Sequence, residues 1–374
     1  MKKVKFLAVL FIAMFVTILA TGCSDDNGAS NNKKSGVNIG IVLPTKDEPR
    51  WVQDESRFQD ALKDSDYTTE ILFSQGSSAK EKENVETLIS KGIDVLIIAP
   101  HDAAAAGAAV EEAKRDDIKV ISYDRLITDT DAVDYYVTFD SIAVGEAQGQ
   151  YLIDHAGENS GIPLYLYAGA ASDNNAFLFF EGAWKVLQPK IADGTFVVAN
   201  SSIAEDLKEK TELTRDELGK VLGQITTNWD PNEAKNKAQT NLTAADKDLK
   251  GDVAILAPND GTSRSIADVF AGDPDISDYV ITGQDSEKAS IQYIIDGKQS
   301  MTVFKDVRSL VTDAMGMAVD LLDEKTPETT GNYDNGSLEV PAKQTEVIVV
   351  DQDNVKSELI DSGYYEESEF TGLE

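Results

Sequence analysis

The 374 residues carry 66 acidic against 34 basic side chains, a formal net charge of −32. A chain this acidic is repelled by nucleic acid and by anionic lipid headgroups, so charge makes neither a partner. One cysteine excludes an internal disulfide, and two histidines without a second cysteine exclude a metal site built on imidazole or thiolate.

Residues 1–22 read as an export leader. Lys2, Lys3 and Lys5 form its basic head, and the charge-free stretch 6–20 is too short for a comfortable membrane span. It closes on Leu19-Ala20-Thr21-Gly22-Cys23, which resembles the lipobox of bacterial lipoproteins. Cys23 is therefore expected to be acylated and to hold the exported chain to the outer face of the cell membrane. Residues 23–36, rich in Ser, Asn, Asp and Gly, make a flexible tether. The remainder, about 340 residues, suits two lobes rather than one small core.

From residue 37 onward apolar strands alternate with helices. Strands are expected over 37–43, 70–73, 94–99, 119–122 and 135–139, with helices over 51–63, 79–91, 103–115 and 142–155. The rhythm then restarts, with strands over 163–167, 195–198, 253–257, 280–282 and 301–304 and helices over 174–191 and 233–245. Continuous apolar strands with helical crossovers predict α/β lobes, each a doubly wound parallel sheet covered on both faces. The Glu/Lys-rich segment 204–222 is expected to be an exposed helix inserted in the second lobe. Trp184, in mid-helix, is expected in the core.

Several strands end in short polar clusters: Tyr123-Asp124-Arg125, Pro258-Asn259-Asp260, Gly283-Gln284-Asp285 and Lys305. Open parallel sheets bind ligands beyond the carboxyl ends of their strands. Acids, amides and long cations gathered there suit a neutral polyhydroxylated ligand better than a phosphate or a metal. No phosphate-binding glycine loop, dinucleotide fingerprint or Gly-x-Ser-x-Gly elbow is present. His101 follows a strand and His155 ends a helix, neither in a catalytic arrangement, and Asp351-Gln352-Asp353-Asn354 lacks the spacing of a calcium loop. Nothing specifies an enzyme, a cofactor or a metal.

The motifs Leu43-Pro44-Thr45-Lys46 with Arg50-Trp51, Ile97-Ile98-Ala99-Pro100 and Tyr123-Asp124-Arg125-Leu126-Ile127 are followed in order by Asp173-Asn174-Asn175-Ala176-Phe177, Trp229-Asp230-Pro231, Gly283-Gln284-Asp285, Phe304-Lys305-Asp306 and Gly363-Tyr364-Tyr365. In that order and spacing the chain resembles the aldose-binding proteins of ATP-driven importers, the xylose-binding and multiple-monosaccharide-binding group. The resemblance implies the type I periplasmic binding protein fold, a Venus-flytrap of two lobes joined by three hinge crossovers near Asp140, near Lys305 and around 341–346. It implies a first lobe of 37–139 plus 306–341 and a second of 140–305 plus 342–374. Sugar-hydroxyl contacts fall to Arg50, Asp124, Arg125, Asn175, Asn259, Asp285 and Lys305, and ring packing to Trp51 and Trp229. The implied partners are a free monosaccharide of xylose, glucose, galactose or arabinose type, and a membrane permease with its separate ATPase. A sensor role, presenting the sugar-bound form to a histidine kinase or chemoreceptor, would use the same cleft. A sugar-responsive repressor of this fold would need a helix-turn-helix where the leader stands.

Overall fold

The computed structural model describes residues 37–63 and 67–373; the leader, Cys23 and the tether lie outside them. The first sheet has seven strands. They are β1 (Ile39–Leu43), β2 (Thr69–Phe73), β3 (Val95–Ile98), β4 (Lys119–Tyr123), β5 (Tyr135–Phe139) and the later β11 (Gly331–Asp334) and β12 (Glu339–Thr345). Their order is β11-β12-β5-β4-β3-β1-β2, parallel except where β11 returns along β12. Alternate residues feed two cores. Val95 and Ile97 face the helix Val307–Leu322, while Leu96 and Ile98 face the helices Ser78–Ser90 and Gly107–Arg115. Burial on both faces explains why these strands are apolar throughout.

The second lobe repeats the plan. β6 (Ile162–Leu166), β7 (Phe196–Val198), β8 (Gly251–Leu256) and β9 (Ile276–Ile281) form a parallel sheet in the order β7-β6-β8-β9. β10 (Met301–Phe304) pairs antiparallel with β13 (Ile348–Asp351), and a bridge from Gln284 to Val303 joins them to the β9 side. The two lobes are thus doubly wound parallel sheets. The chain passes between them after β5 at Asp140, after β10 at Lys305-Asp306, and after β12 at Glu346-Val347. β12 stays hydrogen-bonded to β5 through Thr345, so the break expected at 341/342 falls inside a strand of the first sheet.

Other boundaries differ for physical reasons. β9 begins at Ile276, ahead of the expected 280, because this border strand leaves Ser277 and Asp278 exposed and so lacks an apolar signature. The segment 204–222 is not one exposed helix. It forms Ser202–Asp206 and Arg215–Ile225, and the latter buries Leu218, Val221, Leu222 and Ile225 in the second core. The turn between them is stapled to the helix Asn174–Ala192, where Trp184 Nε1 donates to the Lys210 carbonyl and Gln188 Nε2 to that of Lys208. Trp184 is in the core as expected.

The helices Ser141–Ala156 and Asn174–Ala192 cross in close backbone contact. A Cβ on Gly145 would lie 1.9 Å from the Phe179 carbonyl oxygen, and one on Gly182 2.2 Å from that of Ile142. Backbone cannot give way cheaply, so Gly145→Ala should lower stability by about 1–3 kcal/mol, the usual cost of overpacking. Gly223, exposed in a helix with nothing near its missing Cβ, should instead gain about 0.5–1 kcal/mol on replacement by alanine. Denaturant melts of the two variants against the parent check both signs.

Candidate functional site

The strands deliver their polar ends to one small cavity between the lobes. Arg50 and Trp51 open the helix Pro49–Leu62 that follows β1, and Asp124 and Arg125 follow β4. From the second lobe come Asn175 at the start of its helix, Trp229 between two helices, Asn259 after β8, Asp285 after β9 and Lys305 after β10. Every one of these residues, expected from sequence, lines the cavity. Glu48, Asp173, Phe179 and Gln284 line it too. Asp173 lay within a quoted motif without a role; it also caps the helix Asn174–Ala192, accepting from Asn175 N at 2.9 Å. Gln284 lay within a quoted cluster without a role, and nothing in the pattern distinguished Glu48 or Phe179.

The site is a network of buried charges. Arg50 reaches Asp54 through Nε at 2.6 Å, Asp124 through Nη2 at 2.9 Å and Asp285 of the opposite lobe through Nη1 at 3.5 Å. Lys305 Nζ lies 2.8 Å from Asp285 and 3.8 Å from Asp124. Arg125 is held by Glu48 at 3.0 Å and by Asp173 at 2.9 Å. The Trp51 ring lies against both guanidinium groups, 5.3 Å from Arg50 and 5.0 Å from Arg125. Asn175 spends both ends of its amide, donating to the Asp124 carbonyl and accepting from Ser141 Oγ. Asn259 caps the helix Asp260–Ala271 through Oδ1, which takes a 2.6 Å bond from Thr262 Oγ1.

Burial sets the titration of these groups. It pushes Glu48, Asp54 and Asp173 upward, against the pull of Arg125 on the first and third and of Arg50 on the second. It opposes ionisation of Asp124 too, but there Lys305, Arg50 and Arg125 outweigh it and hold the carboxyl at about 2. Asp124 is therefore an ionised acceptor at any neutral pH.

Two further features point to a small ligand. Trp229 Nε1 and Gln284 Oε1 are buried without hydrogen-bond partners and belong to residues lining the cavity, one a donor and the other an acceptor. A ligand hydroxyl can satisfy either. The backbone is also strained around the cavity, with φ of 61° at Asp124, 61° at Trp229 and 95° at Asp285. Such conformations cost about 1–3 kcal/mol each and persist where the surroundings fix them. Gly169 is part of that fixing, since a Cβ there would sit 2.0 Å from the Trp229 ring.

The histidines stand aside. His101 gives its backbone N–H to Glu81 at 2.7 Å, and His155 stacks on Tyr151 at the end of its helix. Among the described residues no acidic, histidine or cysteine cluster could hold a metal, and no helix is long and apolar enough to cross a membrane.

Comparison with known proteins agrees with this architecture. A profile of the periplasmic binding protein domain matches residues 39–326. The chain is 34% identical over 367 residues to a multiple sugar-binding periplasmic protein of Azospirillum brasilense, covering 96% of this chain and 97% of that protein. It is 30% identical to the D-xylose-binding periplasmic protein of Escherichia coli, over 94% and 98% of the two chains. A carbohydrate transporter solute binding protein from Chloroflexus aurantiacus, crystallised in complex with D-glucose, is 67% identical and superposes with a TM-score of 0.89, covering 91% of this chain and all of that one.

Behind Arg125, burial raises the Glu81 carboxyl from 4.5 to about 7. The folded state then holds a proton that the unfolded state releases, so this group's contribution to stability is fully present below pH 4.5 and is lost as pH rises through 7. That loss should amount to about 3 kcal/mol. Urea titrations at pH 4.5 and 7.5 should show a smaller difference for Glu81→Gln than for the parent; an unchanged difference would contradict the assignment.

Proposed function

The chain belongs to the periplasmic binding protein family, and we propose that it captures a free aldose in the cavity between its lobes and delivers it to an ABC permease. Proteins of this family bind solutes and are not enzymes. The observation that carries the reading is the mixed lining of the cavity. Carboxylates of Asp124 and Asp285 accept from hydroxyls, Arg50, Arg125 and Lys305 donate to them, and Trp51, Trp229 and Phe179 offer ring faces to the C–H surface of a pyranose. Charge-assisted hydrogen bonds contribute about 1.5–3 kcal/mol each, so a few suffice for micromolar affinity after ordering costs. The D-glucose bound by the Chloroflexus protein and the D-xylose named for the Escherichia coli relative are aldoses of the proposed class.

In this reading the lobes, 37–139 with the helix and hairpin after 306, and 140–305 with the tail after 347, rotate about the crossings at Asp140, Lys305-Asp306 and Glu346-Val347. A sugar touching both lobes biases them towards closure. Acylation at Cys23 would keep the protein at the outer membrane face, near its permease and separate ATPase. Presentation of the closed form to a histidine kinase or chemoreceptor is the alternative use of the same cleft; the relatives named for transport favour import.

Calorimetry should show D-glucose, D-xylose, D-galactose or L-arabinose binding at one per chain without conversion. Sugar phosphates should bind far more weakly, because a phosphate would meet Asp124 and Asp285. Tighter binding of a sugar phosphate than of any free aldose would overturn the assignment. Asp285→Ala should weaken binding at least about a hundredfold, as loss of a buried charge partner implies, whereas Asp351→Ala, outside the cavity, should leave it unchanged.

Cys23→Ser should leave the protein unprocessed or release it from membranes. Membrane fractionation and the mass of the mature N-terminus read this, and a variant as membrane-bound and as fully processed as the parent would exclude acylation at Cys23.

A further inference from the structure

The motif Gly363-Tyr364-Tyr365 has no place in the cavity, yet its side chains reach the elements that carry the cavity residues. The tail that bears it is rooted in the second lobe, where Leu359, Tyr364 and Phe370 share a small core with Ile291, Ile294, Phe304 and Val350. From that base both tyrosine hydroxyls meet the first lobe at the Gln53 amide, and Arg57 Nη2 adds a 3.4 Å bond to the Tyr364 carbonyl. Gln53 Oε1 accepts from the Tyr364 hydroxyl at 3.1 Å, and Gln53 Nε2 donates to the Tyr365 hydroxyl at 3.1 Å. Tyr365 passes the bond on, donating to the Ser286 carbonyl at 2.8 Å.

Each end of this relay adjoins a residue that lines the cavity. Gln53 is three residues from Arg50 on the helix Pro49–Leu62. Ser286 follows Asp285, and both hold positive φ, 49° and 95°. Tyr364 packs edge-on against Phe304 at 4.7 Å, and Phe304 precedes Lys305. The guanidinium groups of Arg57 and Arg308, from two first-lobe helices, lie 5.5 and 5.0 Å from the Tyr364 ring. Burial raises the ionisation of the Tyr365 phenol well beyond its ordinary range, so the hydroxyl keeps the proton it donates.

We propose that Gln53 and Tyr365, braced by Tyr364, are positioning residues. They fasten the Arg50 helix to the Asp285 loop when the lobes meet, and so help set the closing equilibrium, and with it ligand affinity, from outside the cavity. This rests on the reading of the cleft as a capture site. In this proposal the relay's interlobe bonds form as the lobes meet, so its loss raises the population of open molecules and taxes the apparent affinity by that fraction.

The test uses Tyr365→Phe, Gln53→Ala and the double variant, with D-glucose as the probe. Each single variant should bind D-glucose about tenfold more weakly, and the double variant no worse than Gln53→Ala, because that change already removes the Gln53–Tyr365 bond that Tyr365→Phe removes. The melting temperature without sugar should shift by no more than about 2 °C in Tyr365→Phe, since the ring and its packing stay. A second readout needs no ligand. Spin labels at Ser90→Cys and Thr240→Cys in a Cys23→Ser background should report a longer interlobe distance in the relay variants than in the parent.

If the parent binds D-glucose and the variants match it within twofold, with unchanged distances, the positioning role is wrong. If the parent binds no aldose, the capture reading fails by itself, and the ligand-free distances still decide the relay: longer in the variants supports it, unchanged overturns it.

Discussion

A guanidinium group that is almost wholly out of water, with a carboxylate on each side of an interlobe cleft, is the constraint on which this molecule depends. Arg50 is 3% exposed and is shared among Asp54, Asp124 and Asp285. Such a charge is tolerated in a low dielectric only when its donors are matched. Asp54, one turn along the same helix and itself bonded by the Tyr123 hydroxyl, holds the group from behind. Asp124 and Asp285 then face the cavity from opposite lobes with Lys305 between them. The sheets, the crossovers and the strained loops bring these groups to one point.

The consequence for ligand choice is a matter of charge balance. Glu48, Asp54, Asp124, Asp173 and Asp285 confront Arg50, Arg125 and Lys305, and burial pushes Glu48, Asp54 and Asp173 upward despite their guanidinium partners. The site therefore offers little net attraction to an anion. It offers many strong, oriented half-bonds to a neutral molecule whose hydroxyls both give and take. The unpartnered Trp229 N–H and Gln284 carbonyl oxygen extend that offer, and the aromatic faces add area that a polyol with C–H surfaces can cover. Selectivity among aldoses would then arise from which hydroxyls complete the network.

Much of this was legible in the sequence because it follows from a simple rule. Polar clusters at the ends of apolar parallel strands converge, so Asp124, Asn259, Asp285 and Lys305 could be placed together before any coordinates. The resemblance added Arg50, Asn175 and Trp229, which sit at helix starts and loops where periodicity is silent. Glu48 and Phe179 escaped because a carboxylate before a helix and a phenylalanine within one look like any others; only the fold turns them inward. The hairpin Gly331–Thr345 escaped because its largely polar strands carry no continuous apolar run; the late strand Ile348–Asp351 went unread although residues 347–350 are apolar throughout. The segment 204–222 misled because its charges are real but belong to one face; Leu218, Val221, Leu222 and Ile225 bury the other. Left-handed backbone at Trp229 has no sequence signal at all, since a bulky residue rarely adopts it.

The central claim is that one ligand, bridging Arg50 and Asp124 on one side with Asp285 and Lys305 on the other, holds the lobes together. Small-angle scattering of the protein with and without saturating D-glucose tests it most directly. The account predicts a smaller radius of gyration with sugar and a bound profile that matches the structure described above. A profile that starts open and remains open when binding is complete would contradict it.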